Sequence, residues 1–351
     1  MRKFLPDNLC SQLLVSWLLY LFFACCLPVK SQELPHKDTV NFCVMSYNVE
    51  NLFDCRHDSL KNDYEFLPAA NRHWTYKKYR KKLDDIARVI LAVGRWSPPA
   101  LVGLCEIEND SVLYALTHYS LLRTLQYRYL ITHSDDERGI DVGLLYQRQL
   151  FKPLIQHELQ IPRPAGFRRP TRNILHVCGL LLNQDTLDVL VCHFPSRTGG
   201  AHASEPYRLS AANIMRQCVD SLYAIRKTPQ ILIMGDFNDY PHNQSIRQII
   251  GQNPTLHHLL AQETEKKRKG SYKYKGEWGL LDHIIVSPTL LHPNAPLYVE
   301  KDSGHIFHPE FLLIEDKKFG GYQPFRTYLG MKYQGGFSDH LPIWADFRLV
   351  Y

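Results

Sequence analysis

Apolar residues along this chain fall mostly into short runs. Runs of strand length recur at 42–47, 100–105, 127–132, 141–146, 175–183, 187–193, 230–235, 280–287 and 341–347. They are rich in Val, Ile, Leu and Tyr and are bounded by polar or turn-forming residues, as expected of strands buried on at least one face. Two longer stretches carry a helical period instead. In 75–94, Leu83, Ile86, Ile90 and Val93 form one apolar stripe, with Thr75 placed to cap the start and Gly94 to end it. In 204–226, Leu209, Ala212, Met215, Val219 and Leu222 do the same after Ser204. Strands and helices that mix without strict alternation predict an α+β chain whose sheets pack on each other with helices outside.

Composition narrows this only a little. The 351 residues are 45% hydrophobic and 22% charged, which is ordinary for a globular domain, and no internal repeat suggests a solenoid or propeller. The N-terminus stands apart. Arg2 and Lys3 precede an apolar run from Leu13 to Leu27, too short for a comfortable membrane span of about 20 residues. The division expected is a signal peptide over 1–31 and one mature domain over 32–351. The protein is then exported: periplasmic, extracellular or, given Cys25 and Cys26, an outer-membrane lipoprotein. Without residues 1–31 the net charge falls from +6 to +4, with 38 Lys and Arg against 34 Asp and Glu. A mildly basic surface suits an anionic substrate. The six remaining cysteines show no CxxC and no metal-ligand spacing.

The chemistry lies where the strands stop. VMSYNVEN ends one with Asn48 and Glu50, LVGLCEIEND another with Glu106. LDVLVCHFPSR ends in His193, and QILIMGDFNDYP in Asp236 and Asn238. The last strand is preceded by Ser338-Asp339-His340. Amides and carboxylates together are the donors a hard cation such as Mg²⁺, Mn²⁺ or Ca²⁺ takes. Two histidines beside them can divide proton removal from delivery. A metal, a base and an acid describe attack of water on a phosphate ester. Asp282 and Asp141 sit inside apolar runs, where a charge needs a partner.

SYNVEN, GLCEIE, GIDVGLLY, CHFPSR, GDFND, LLDHIIVS and SDHLP, in that order from residue 42 to the end, resemble the signature elements of the endonuclease/exonuclease/phosphatase superfamily. The resemblance is to a secreted, bacterial-type member. It implies the deoxyribonuclease I-like fold, a four-layer α/β/β/α sandwich of two packed mixed sheets with the active site at one edge. It also implies a set of roles. Glu106 is the principal metal ligand, with Asn48 and Glu50 beside it and Asp339 completing the site; many nucleases of the family carry Asp where Glu50 stands. Asp236 and Asn238 position the attacking water and the phosphate. His340 is the general base or a phosphate-binding imidazolium, oriented by Asp282. His193 protonates the leaving oxygen or stabilises the transition state, and Asp141 steadies His193.

Arg197, in the Gly-rich PSRTGG loop, and Arg208 are candidate phosphate clamps. Tyr272, Tyr274 and Trp278 could stack on bases, and 325–337 could floor the pocket. The expected activity is metal-dependent phosphodiester hydrolysis, with an endonuclease foremost. A phospholipid phosphodiesterase, a sugar or inositol phosphate phosphatase and a catalytically silent binding protein are the alternatives. The substrate is expected to be the partner, nucleic acid among the possibilities, and the chain a monomer.

Overall fold

The computed structural model describes residues 38–253, 255–261, 270–300 and 302–351. The segment expected to be a signal peptide, 1–31, and the Lys/Arg run at 266–269 lie outside the described residues. Two large sheets carry the architecture. In chain order the first takes β1 (Thr39–Leu52), β2 (Leu101–Ile107), β3 (Arg128–Ile131) and β4 (Asp141–Tyr146). The second takes β5 (Phe151–Leu159), β6 (Ile174–Leu181), β7 (Thr186–His193), β8 (Ile231–Asp236) and β9 (His257–His258). A small ribbon follows, β10 (Tyr272–Tyr274) with β11 (Glu277–Gly279), and then β12 (Asp282–Val286) returns to the second sheet. The chain ends in the first sheet with β13 (Leu297–Val299), β14 (His305–Ile306) and, after two short hairpins, β19 (Ile343–Val350). The hairpins are β15 (Leu313–Glu315) with β16 (Tyr322–Pro324), and β17 (Tyr328–Leu329) with β18 (Lys332–Tyr333).

The first sheet runs β13-β19-β1-β2-β4-β3, with β14 also on β19; the second runs β5-β6-β7-β8-β12-β9. Both are mixed, with parallel pairs at β1–β2 and β7–β8. Their inner faces share one core that holds Val44, Leu104 and Leu144 from the first sheet, and Val189, Met234 and Ile284 from the second. Gly103 leaves room for Met234, since a Cβ there would sit 3.0 Å from its sulfur.

Helices cover the outer faces. α1 (Tyr76–Gly94) and α2 (Asp110–Tyr119) belong to the first core, and α1 buries the expected Leu83, Ile86, Ile90 and Val93. Burying side chains of this size is worth about 1.5–3 kcal/mol each. Thr75 stands at the cap position but makes no side-chain bond there. Gly94 is demanded by packing, because a Cβ would come within 2.9 Å of Pro99 Cδ. α3 (Ala201–Ile225) and α4 (Gln244–Ile250) cover the second sheet through Ala212, Met215, Val219 and Ile246. α3 starts three residues before the expected Ser204, whose hydroxyl instead donates to Gly200 O within the first turn. The four layers and the α+β class are those expected.

β5 was not legible. It is an edge strand with mostly exposed residues, Pro153 and a bulge between Pro153 and Ile155, so the apolar pattern that marks an inner strand is missing. The six cysteines from Cys43 to Cys218 are all free thiols. Among the described residues no helix is long and apolar enough to cross a membrane.

Candidate active site

Strand register brings the polar strand ends to one edge. Asn48 pairs with Cys105, next to Glu106, and Asp141 pairs with Ile107 across β4. On the other sheet His193 pairs with Asp236, and Asp236 with Asp282. Ser46 opposes Ile343, so the Ser338-Asp339-His340 segment that leads into β19 arrives at the same edge. Two bulges aim the first sheet's residues. The β1–β2 register shifts after Asn48, and the β2–β4 register shifts at Glu106. Glu50, Asn51 and Glu106 there take left-handed backbone, with φ of 53°, 57° and 65°. Such conformations cost about 1–3 kcal/mol each for a non-glycine residue and cluster where geometry serves function. Just before Asp236, Gly235 at φ 149° lets β8 approach β7 so closely that a Cβ would sit 1.9 Å from Cys192 O.

The centre of the site is a buried acid–histidine array. His340 Nδ1 lies 2.8 Å from Asp282 Oδ2, and its Nε2 lies 3.7 Å from Asp236 Oδ2. His193 Nε2 approaches the same Asp236 oxygen at 3.6 Å. Asn48 Nδ2 donates to that oxygen at 3.0 Å, and Asn238 N donates to Asp236 Oδ1 at 2.9 Å. Ser338 ties the array to β1: its hydroxyl donates to Asn48 O at 2.7 Å and accepts from His340 N at 3.1 Å. The β10 ribbon closes one side, with the Tyr272 ring 4.8 Å from His340.

Burial and charge push these groups apart in basicity. Burial by itself lowers His340, but Asp282 and Asp236 overcome it and hold the ring well above the usual imidazole range. His193 goes well below it, through burial and then the charges of Arg172, Arg138 and His340. Burial, with help from Asp282, raises Asp236 to about 7 against the pull of His340. One histidine is therefore cationic and the other neutral, with a carboxyl of near-neutral pKa between them.

Asn48, Glu106, His193, Arg197, Asp236, Asn238, Asp339 and His340 all line one cavity of about 660 Å³. A smaller recess of about 330 Å³ shares Glu106, Arg138 and Asp339 with it and adds Glu50 and Arg326. Arg197 lies over the Tyr240 ring at 4.5 Å, with Tyr272 and Tyr274 also on the cavity wall.

Several expected placements change. Asn48 Oδ1 accepts from Glu50 N at 3.0 Å while its amide nitrogen faces Asp236 and Glu106, so in this arrangement the amide links the carboxylates and does not turn oxygen towards them. Glu50 is also committed. It accepts from Thr327 N at 2.6 Å and Tyr328 N at 3.3 Å, and so fastens the approach to β17. Asp141 does not bond His193. Its Oδ1 takes Thr132 Oγ1 at 2.7 Å and Ser134 N at 3.0 Å, while His193 Nδ1 is buried without a partner. Arg208 is 1% exposed and structural. It pairs with Asp239 at 2.8 Å and donates to Ser204 Oγ and Ala201 O at 2.7 Å, inside the turn of α3.

The carboxylates that remain for a cation are Glu106 and Asp339, on the wall common to both recesses. Glu106 accepts from Asn51 N at 2.8 Å through Oε2 and meets Asn48 Nδ2 at 3.5 Å through Oε1. Carboxylate oxygens of this kind suit a hard divalent ion, although Arg326 already pairs with Asp339 at 2.6 Å and Arg138 stands 3.9 Å from Glu106. Asp236, Asp282 and His340 also gather within 4.8 Å, but the imidazole nitrogen facing Asp282 is spent on that hydrogen bond and the ring's positive charge repels a second cation.

Sequence reasoning missed Arg138 and Arg172, and reached Arg326 only as part of 325–337. Arg138 meets Asn51 Oδ1 at 2.5 Å and Glu106 at 3.9 Å; Arg172 donates to Phe194 O at 2.8 Å. Arg326 Nη2 donates to Asp339 at 2.6 Å. All three come from loops, and only the position of Arg138 just before the Asp141 strand could have signalled it.

Residues 43–348 match the family described as Endonuclease/Exonuclease/phosphatase family. No curated protein sequence matches the chain significantly. Among solved structures, an endonuclease/exonuclease/phosphatase family protein from Bacteroides thetaiotaomicron superposes with TM-score 0.55 at 14% identity, covering 89% of this chain and 96% of that one. The human Nocturnin catalytic domain with bound sulfate gives 0.52 at 17%, covering 89% and 97%. D. rerio TDP2 complexed with single-strand DNA product gives 0.53 at 15%, covering 88% and 98%. At these identities the structures speak for the fold, and the sequence match over residues 43–348 assigns the family: the chain belongs to the endonuclease/exonuclease/phosphatase family.

Proposed function

We propose that this chain is an exported hydrolase that cleaves phosphodiester bonds by in-line attack of water with the help of a divalent cation, and that its substrate is nucleic acid cut internally. The observation that carries the reading is the carboxylate of Asp236 set between a cationic and a neutral histidine on the wall of one cavity. Asp236, raised to about 7, is matched to accept a proton from water near neutral pH. Asn238 N holds its Oδ1, while its Oδ2 accepts from Asn48 Nδ2 and faces both histidines. The His340 imidazolium, fixed by Asp282, binds a phosphate oxygen. His193 is neutral, so it stabilises charge at the transition state by hydrogen bonding rather than as a strong acid. A divalent cation on Glu106 and Asp339 would supply further neutralisation of the phosphate. Nucleic acid is favoured by Tyr240, Tyr272 and Tyr274 beside Arg197, since aromatic faces and a guanidinium bind bases and backbone together. The solved relative with a DNA product supports the same choice. Export rests on the charged and apolar N-terminus.

The test is turnover by the mature chain beside His340→Ala. Linear and circular DNA, RNA, sphingomyelin and phosphomonoesters are each offered with Mg²⁺, Mn²⁺, Ca²⁺ or EDTA. Cleavage of circular DNA or RNA that needs the cation and is lost in the variant is expected. Cleavage of the lipid or of monoesters alone would replace the substrate, and turnover unaffected by EDTA would sink the metal.

A further inference from the structure

The β10–β11 ribbon separates two cavities. Strand alternation sends Tyr272 and Tyr274 to the catalytic cavity and Lys273 to a second one, of about 600 Å³. The same division runs through the segment beside it. Tyr272 and His340 pair as an isolated bridge, His340 lines the catalytic cavity, and the next residue, Leu341, lines the second. Trp278, which the sequence groups with the two tyrosines as a stacking residue, lines the second cavity with Phe319 and Tyr322. Among the described residues none of these three rings packs on another ring. Polar groups on the wall are few. The Lys273 ammonium donates to Asp316 Oδ2 at 2.8 Å and Gly320 O at 2.9 Å, which leaves its third hydrogen. The Trp278 indole N–H and the His308 imidazole have no hydrogen-bond partner among the described residues. Gly320 and Gly321 keep the space open, since a Cβ on either would meet nothing within 4 Å.

We propose that this second cavity takes a base of the strand being cut, beyond the scissile phosphate, so that the strand crosses the ribbon from the catalytic cavity. The proposal rests on the nucleic-acid reading above. An apolar cavity with a few polar groups on its wall fits a flat heteroaromatic ring, which offers faces to the aromatic side chains and a polar edge to the rest. An acyl chain would leave the indole N–H and the remaining Lys273 hydrogen unanswered. The crossing point also suits a phosphate backbone. The ribbon and the hairpin tip, 272–279 and 315–322, carry Lys273, Lys275, Lys317 and Lys318 against Glu277, Glu315 and Asp316. Asp316 is spent on Lys273, and the other three lysines are exposed.

The test is binding of single-stranded DNA oligonucleotides graded in length from a dinucleotide upwards. Mg²⁺ is present, and every form carries His340→Ala so that strands are bound and not cut. Affinity is expected to step up once the strand is long enough to cross the ribbon. The same lengths should quench the Trp278 emission, read as the difference from Trp278→Phe. Trp278→Ala and Tyr322→Ala are each expected to lose the step, by at least about fivefold in Kd, the least that one stacked base contributes. Both should bind the dinucleotide as the parent does. Affinity that rises evenly with length, and equally in all forms, overturns the proposal. Equal loss at every length also overturns it, by assigning the effect to a disturbed ribbon. If Trp278→Ala does not fold, Tyr322→Ala, at a residue 64% exposed, decides alone. Phosphatidylcholine vesicles form the second arm. Vesicle binding abolished by Tyr322→Ala, beside an oligonucleotide series without a step, would give the cavity to an acyl chain and overturn the proposal. Binding of no strand of any length by any form would bring down the nucleic-acid reading and the proposal with it, an outcome distinct from a series that binds without a step.

Discussion

Asp282 and His340 form a buried pair, 2.8 Å apart, in which one carboxylate oxygen is spent on the ring and the other has no partner at all. A carboxylate held this way exists to keep the imidazole charged and oriented. Asp282→Asn keeps the shape and removes the charge, so the His340 pKa should fall towards its ordinary value and the imidazolium should be lost near neutrality. General acid–base and orienting groups of this kind contribute about 10²–10⁴-fold, and a loss in the lower part of that range is expected at pH 7. The alkaline limb of the kcat/KM profile should move down by about one pH unit or more, as removal of a neighbouring charge implies. A variant whose limb stays in place would show that Asp282 does not set the charge of His340.

Asn48 joins the two sheets at the site. It is rooted in β1 of the first sheet, and its amide donates to Asp236 on the second. Hydrogen bonds to charged groups are worth about 1.5–3 kcal/mol, so Asn48→Ala should lower kcat by roughly 10- to 150-fold while the fold survives. Asn48→Asp should be worse, since it sets a third carboxylate against Asp236 and Glu106. Equal activity of the two variants would mean that the amide only fills space.

Arg208 gives the opposite pattern. Its removal leaves Asp239 charged and buried, and breaking a buried pair costs about 3–5 kcal/mol. Arg208→Ala should therefore lose stability in denaturant titration. A form that keeps wild-type stability but shows a raised KM would restore the phosphate-clamp role that its burial argues against.

Much of this was readable from the sequence, for a definite reason. Asn48, Glu106, His193 and Asp236 each stand where an apolar run stops, and a strand end is a fixed point in a sandwich. Their convergence followed once the strands were placed. What the sequence could not show was which way a side chain turns. Asp141 is next to the right strand, but Thr132 and Ser134 capture its oxygen before His193 can. Glu50 has the charge of a metal ligand, but the backbone of Thr327 and Tyr328, 277 and 278 residues away, takes it. The loop arginines were hidden for the same reason. Arg172 and Phe194 are 22 residues apart with no shared pattern, and only the fold makes them neighbours.

Glu108 sets the pH dependence of stability. It is buried beside the site edge, its Oε2 accepts from Asp54 N at 2.6 Å, and burial pushes its carboxyl up to about 8. In the unfolded chain a glutamate titrates near 4.3. Between those values the folded state holds the proton and the unfolded state does not, so stability falls as pH rises through the window from about 4 to 8, at no more than about 1.4 kcal/mol per unit. Below that window both states are protonated and the group costs nothing. Glu50 and Asp236, both at about 7, and Asp141, at about 6, act in the same direction. Glu108→Gln keeps an acceptor for Asp54 N and cannot ionise. It should raise the melting temperature at pH 8 by several degrees, since about 1 kcal/mol moves a domain of this size by a few degrees. At pH 4 the two proteins should melt together. A stabilisation equal at both pH values would assign the effect to packing and not to the buried charge.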